Sequence, residues 1–114
     1  MSDDVMKFFE KAQSDSAKMK ELLPDAIAGF GGMFGKIMKD GAVSLKNKEL
    51  IALAIGVATH CPPCIKLHTK KCVEVGATKE EIMEAASVAI MMGGGPAFTH
   101  IPHILDTLSA LDKK

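Results

Sequence analysis

Residues 49–72 read ELIALAIGVATHCPPCIKLHTKKC, and the reading of this stretch decides both fold class and chemistry. From Leu50 to Ala58 no side chain is polar. Leu50, Ile51, Leu53, Ala54, Ile55, Val57 and Ala58 leave a helix over about 45–59 almost without a polar face, which predicts a central, buried helix. Ser44 is well suited to cap its start. Glu49 lies near the polar beginning of this helix, so spacing alone places it at the surface.

The cysteines open the next helix. Cys61 suits the N-cap position because the residue before a proline avoids helical geometry. Pro62 and Pro63 then occupy the first turn, where backbone N–H groups have no partner within the helix. Pro63 also biases Pro62 away from helical ψ, so an irregular first turn is expected. Beyond it Cys64, Ile65, His68, Cys72 and Val75 follow helical spacing, and Gly76 ends the helix.

Working outward, Val5, Phe8, Phe9, Ala12, Met19, Leu22 and Leu23 describe one apolar face of a helix over 4–22. Pro24 stops it and opens a second helix over 24–39, with Gly41 suited to a left-handed cap. That helix contains Gly29-Phe30-Gly31-Gly32-Met33-Phe34-Gly35-Lys36, which lacks phosphate-loop spacing because Phe30 and Ile37 stand where Gly and Ser/Thr are needed. Its glycines imply either close approach to a neighbour or another subunit, or a distorted helix. Thr78-Lys79-Glu80-Glu81 is a capping box opening a helix that buries Ile82, Ala85, Ala86, Ala89 and Ile90. Met92-Gly93-Gly94-Gly95-Pro96 breaks it, and a last helix over about 97–111 carries Ile101, Ile104, Leu105, Leu108 and Leu111 on one side. No strand alternation occurs. The expectation is an all-α fold of about six helices, with residues 1–114 forming one domain.

Composition agrees, since Trp and Tyr are absent while Ala, Leu, Ile, Met, Lys and Glu abound. Fourteen basic residues balance fourteen acidic ones, which argues against nucleic acid as the partner. The longest apolar run is far short of the roughly 20 residues that cross a bilayer. The first residues, Met1-Ser2-Asp3-Asp4, are acidic where a secretion signal would be basic. A cytoplasmic protein without a membrane partner is expected. In a reducing compartment, C-x-x-C points to catalysis or metal binding rather than a structural framework.

At a helix N-terminus, unpaired N–H groups and the positive end of the dipole stabilise a thiolate. A thiolate attacks disulfides and peroxides, and a second cysteine two residues away can resolve the product. His68, four residues after Cys64, projects to the same side and can carry the proton. The competing metal reading would gather Cys61, Cys64, His68 and Cys72 around zinc. However, Cys72 lies two helical turns, roughly 12 Å, beyond Cys64. Cys72 is therefore read as packing. His100 and His103, three residues apart, are read as ordinary helix-end histidines able to reach a shared site. His60 adjoins Cys61 and is a candidate supporter of its thiolate.

These residues resemble the AhpD-like alkylhydroperoxidase family within the carboxymuconolactone decarboxylase superfamily. The family pattern is a glutamate, eleven intervening residues, C-x-x-C, and a histidine four residues later, matched here by Glu49, Cys61, Cys64 and His68. Leu45–Ala54, Gly76–Ile82 and Met92–Ala97 extend the likeness across about residues 24–100. The resemblance implies an all-helical, homo-oligomeric protein, a trimer or hexamer. It implies a proton relay in which Glu49 takes the proton through His68. Cys64 would be the attacking thiolate, and Cys61 the proton donor and resolving partner. Peroxidase members often carry histidine just before the second cysteine, where this chain has Pro63.

The function expected is that of a thiol-dependent oxidoreductase. It would reduce a hydroperoxide or disulfide and be re-reduced by a dithiol of protein or lipoyl type, with no cofactor and no metal. Two rivals are a cysteine-independent lactone decarboxylase and a zinc-stabilised interaction module.

Overall fold

The computed structural model describes residues 2–112. Its helices are α1 (Ser2–Leu22), α2 (Pro24–Ile37), α3 (Leu45–Ala58), α4 (Pro62–Glu74), α5 (Lys79–Gly93), α6 (Gly95–Phe98) and α7 (Ile101–Asp112). No strand occurs among the described residues, so the chain is all-α, with the six expected helices and one extra turn, α6. No helix among the described residues is long and apolar enough to cross a membrane.

Helix starts follow the local chemistry. The Ser44 hydroxyl accepts the Asn47 N–H at 3.1 Å. Thr78 and Glu81 form the reciprocal capping box, with Glu81 N–H donating to the Thr78 hydroxyl and Thr78 N–H to the Glu81 carboxylate. Pro62 is helical from the outset, and Ile65 N–H reaches the Cys61 carbonyl at 2.9 Å, so the expected irregular turn is absent.

α3 lies between α4 and α5, α7 packs on α4, and α1 on α7. Leu53, Val57, Ile65, Cys72, Ile82, Ala86, Ala89, Ala97, Ile101, Ile104 and Leu108 form the core. Glu49, Leu53, Gly56 and Val57 make up the buried stripe of α3. The opposite stripe, with Ile51 and Ile55, is exposed. α3 is thus half-buried rather than buried all round, because no element among the described residues covers this side.

Three further expectations are corrected. Only the first half of α1 is packed: Val5 is buried and Phe8, Phe9 and Ala12 half-buried, while Met19, Leu22 and Leu23 face solvent. α2 ends at Ile37 rather than residue 39, closed by Met38 N–H on the Phe34 carbonyl, and Gly41 is not left-handed. The Asp40 carboxylate instead accepts the Leu45 N–H at 2.7 Å, leading directly into α3. The last helix begins at Ile101, because Gly94 at φ 72° turns the chain into the separate α6; Leu105 is exposed.

The second half of α1 and all of α2 form an arm. The radius of gyration is 14.5 Å. A compact chain of this length would have about 13 Å. The arm explains the excess: α2 buries no residue and packs mainly on α1.

Candidate active site

α3 ends in a tight reversal that delivers the cysteines to the start of α4. His60 N–H bonds the Val57 carbonyl at 3.2 Å and Cys61 N–H the Gly56 carbonyl at 3.0 Å, with His60 left-handed at φ 57°. This is the Schellman arrangement, and α4 ends the same way through Gly76 at φ 90°. At residue 60 a histidine occupies the position that glycine normally fills. Its ring stacks on His100, with centroids 5.0 Å apart and planes at 24°.

Cys61 caps α4, its sulfur accepting the Cys64 N–H at 3.3 Å. Cys61 and Cys64 form a disulfide, with Cα atoms 5.3 Å apart. Both residues are half-buried. α3 crosses this turn closely, since a Cβ added to Gly56 would lie 3.2 Å from Cys64 Cβ.

One turn along α4, His68 Nδ1 is 2.8 Å from Glu49 Oε1. A carboxylate offers only acceptors, so Nδ1–H donates and Nε2 is the nitrogen left to exchange a proton. The Glu49 side chain is 4% exposed and that of His68 17%. Glu49 therefore does not lie at the surface, as spacing alone placed it. It occupies the buried stripe of α3, where its imidazole partner offsets the loss of water. No buried side-chain polar atom among the described residues lacks a hydrogen bond.

Cys72 is buried in the core, apart from the disulfide. Burial, followed by the nearby Glu49 charge, pushes its thiol up to about 12, so it stays protonated and unreactive at neutral pH.

His60, the neighbour of Cys61, gathers with His100 and His103. His100 Nδ1–H donates to the Pro96 carbonyl at 2.7 Å, and its ring centroid is 5.7 Å from that of His103. Burial, then Lys66 and His100, hold His103 below the ordinary imidazole range despite Asp106. Among the described residues no group of three His, Cys, Asp or Glu side chains is arranged to hold a metal.

Two contacts escaped the sequence reading. Phe34 of α2 lies stacked on His68, and Lys48 Nζ donates to the carbonyls of Ile37 and Lys39, both at 2.8 Å. Neither residue type nor spacing signals them, because they depend on where the arm folds back.

The fold that carries these residues is shared with known proteins. The chain resembles a carboxymuconolactone decarboxylase family protein from Legionella pneumophila with TM-score 0.89 and 34% identity, over 94% of this chain and 96% of that one. A Thermotoga maritima member of the same family, for which a part in the antioxidative response has been suggested, superposes with TM-score 0.83 at 28% identity, covering 94% and 91%. An alkyl hydroperoxide reductase AhpD of Corynebacterium kroppenstedtii is 32% identical over 63 residues, 55% of this chain and 36% of that protein. Residues 24–106 match the Carboxymuconolactone decarboxylase family, and with the all-helical fold and the cysteine pair on it, the chain belongs to that family as an AhpD-like member.

Proposed function

We propose that the protein is a thiol-dependent oxidoreductase that cycles Cys61 and Cys64 between dithiol and disulfide to reduce a hydroperoxide or a partner disulfide. The observation that carries this reading is the disulfide at the N-terminus of α4, one turn from the buried Glu49–His68 pair. The likeness to an alkyl hydroperoxide reductase and to a family member linked with the antioxidative response supports it.

In the oxidative half, the Cys64 thiolate attacks the terminal oxygen of the hydroperoxide. The O–O bond breaks, sulfenic acid forms on Cys64, and the alkoxide takes a proton to leave as alcohol. Cys61 supplies that proton, and His68, held by Glu49, restores the proton balance. Cys61 sulfur then attacks Cys64 sulfur, expelling hydroxide that leaves as water. The two thiols are oxidised and the peroxide reduced, two electrons in each case.

In the reductive half, one thiolate of a dithiol partner attacks Cys64 and Cys61 departs as thiolate. The partner's second thiol then attacks the partner sulfur of that mixed disulfide, Cys64 is released as thiolate, and the partner leaves as a disulfide, oxidised by two electrons. The Cys64 N–H that points at Cys61 sulfur stabilises the Cys61 leaving group and directs the first attack. The same amide favours thiolate on Cys61 once the proton has been passed on, and alkylation of each cysteine separately decides which one attacks.

The test is pH-dependent alkylation of each cysteine in wild type, His68→Ala and Glu49→Gln. Mass spectrometry of the peroxide-treated protein accompanies it. The expected result is a peroxide-driven Cys61–Cys64 disulfide with thiol reactivity that depends on His68 and Glu49. Absence of that disulfide, with reactivity indifferent to both residues, overturns the proposal. Lactone decarboxylation that survives replacement of both cysteines would replace it.

A further inference from the structure

α2 buries no residue, yet its placement against the body is specific. Within it only Ile27 and Phe34 are half-buried, and their separation of seven puts both on the face turned toward the body. The Phe34 ring lies beside the His68 imidazole and nearly parallel to it, with centroids 6.3 Å apart and planes at 19°. Lys71, three residues beyond His68 on α4, holds its ammonium 5.6 Å from the centre of the same ring. Phe34 is therefore docked on two residues of one α4 face, a turn apart. Lys48, next to Glu49, ties the end of α2 to α3 through the carbonyls of Ile37 and Lys39.

The geometry of His68 needs this contact. The bond to Glu49 fixes one ring atom, but the terminal torsion of histidine is broad, so the plane can still swing about that atom. A flat, nearly parallel neighbour restricts the remaining freedom. We propose that Phe34 is a positioning residue of the site: stacked on His68, it holds the imidazole plane so that Nδ1 stays on Glu49 and Nε2 stays free to exchange a proton. Its consequence for catalysis rests on the thiol-redox reading given above. The constraint on the ring does not.

Phe34→Ala, Phe34→Leu and Phe34→Tyr test it in the full chain. Leu keeps apolar bulk without a ring, and Tyr keeps the ring. In wild type, nitrogen NMR of His68 is expected to show one tautomer with the proton on Nδ1. Both the Ala and Leu variants are expected to mix tautomers and to exchange the His68 ring C2 hydrogen at least about threefold faster, with Tyr close to wild type. A tautomer and exchange rate unchanged in both variants overturn the proposal. On the redox side, peroxide-driven formation of the Cys61–Cys64 disulfide should fall about tenfold in Phe34→Ala, and no further when His68→Ala is added. Losses that multiply in the double variant, or a Phe34→Ala rate equal to wild type while His68→Ala is slow, overturn it as well. Should wild type form no disulfide with peroxide, the redox reading fails, and the tautomer measurement still decides the role of Phe34.

Discussion

Glu49 Oε1 and His68 Nδ1 meet at 2.8 Å across the contact between α3 and α4, nineteen residues apart in the chain. The pair joins the buried stripe of one helix to the site-facing stripe of the next. Removing either partner leaves the other's hydrogen-bonding group short of a mate, at a cost of about 1–3 kcal/mol. A double-mutant cycle with Glu49→Ala and His68→Ala, read by urea unfolding of the oxidised protein, is expected to show coupling of about 1 kcal/mol or more. Glu49→Gln keeps an acceptor for Nδ1–H and should lose less than Glu49→Ala. Additive single losses would mean that the contact between the two residues contributes nothing to stability.

Gly56 and Gly29 make a matched comparison. A Cβ on Gly56 would meet Cys64 Cβ at 3.2 Å and Ile65 N at 3.5 Å, whereas one on Gly29 meets nothing within 4 Å. Gly56→Ala must push the start of α4 away from α3 and is expected to destabilise by about 1–3 kcal/mol. Gly29→Ala gains helix propensity instead, about 0.8–1 kcal/mol. Urea unfolding of the two variants, compared at equal protein concentration, checks both signs.

Much of this was legible in the sequence, and the failures have one physical origin. Ser44, Cys61 and the Thr78–Glu81 box announce their helix starts because capping is local chemistry. Cys61, Cys64 and His68 announce themselves because they share one helix. Glu49 did not, since its burial depends on which side of α3 receives α4, and only the family resemblance pointed to it. The same limit explains α3 and α1, whose apolar residues outnumber the neighbours this chain supplies. The glycines of α2 permit close approach of a neighbour or of another subunit; beyond the helix's own backbone, nothing among the described residues comes within 4 Å of the added Cβ positions there, so no neighbour in the chain uses them.

His60 is the only non-glycine residue with positive φ among the described residues, at 57°. An L-residue in that conformation costs about 1 kcal/mol, part of which the stack on His100 offsets. His60→Gly should therefore change stability little, while the β-branched His60→Val should lose more than about 1 kcal/mol. Thermal unfolding of the two variants separates backbone strain from the loss of the imidazole. A Val variant as stable as wild type would contradict the left-handed assignment.

Cys72 makes an alkaline prediction. Its thiol ionises near its ordinary value of 9.0 in the unfolded chain but only at about 12 in the folded one. Above the unfolded value the native state binds the extra proton, so stability falls as pH rises. The contribution is intact below pH 9 and is lost between pH 9 and about 12. Its slope approaches about 1.4 kcal/mol per pH unit. Cys72→Ala lowers stability at neutral pH through the smaller side chain, but it should flatten this alkaline decline. Urea midpoints of the oxidised protein at pH 8 and pH 10 measure it. Equal declines in both proteins would mean that Cys72 is not the group responsible.

The arm sets the final expectation, a homo-oligomer. Phe30, Met33 and Ile37 are spaced as one helical stripe, and each is more than half exposed, at 62%, 52% and 53%. A second apolar surface lies across α3 and α5, where Val43, Asn47, Leu50, Ile51, Ala54, Ala85 and Val88 line a groove of about 380 Å³. Ile55, Met91 and Met92 stand exposed on the same two helices. Patches of this kind mark interaction sites. Another copy of the chain can cover both, and closed symmetry would limit the assembly to a defined number such as a trimer or hexamer. Light scattering at tens of micromolar protein is expected to give such a mass, with Met33→Asp and Ile55→Asp each shifting it toward smaller species. A monomeric wild type would reject the assembly. If Met33→Asp dissociates it and Ile55→Asp does not, the arm alone holds it together.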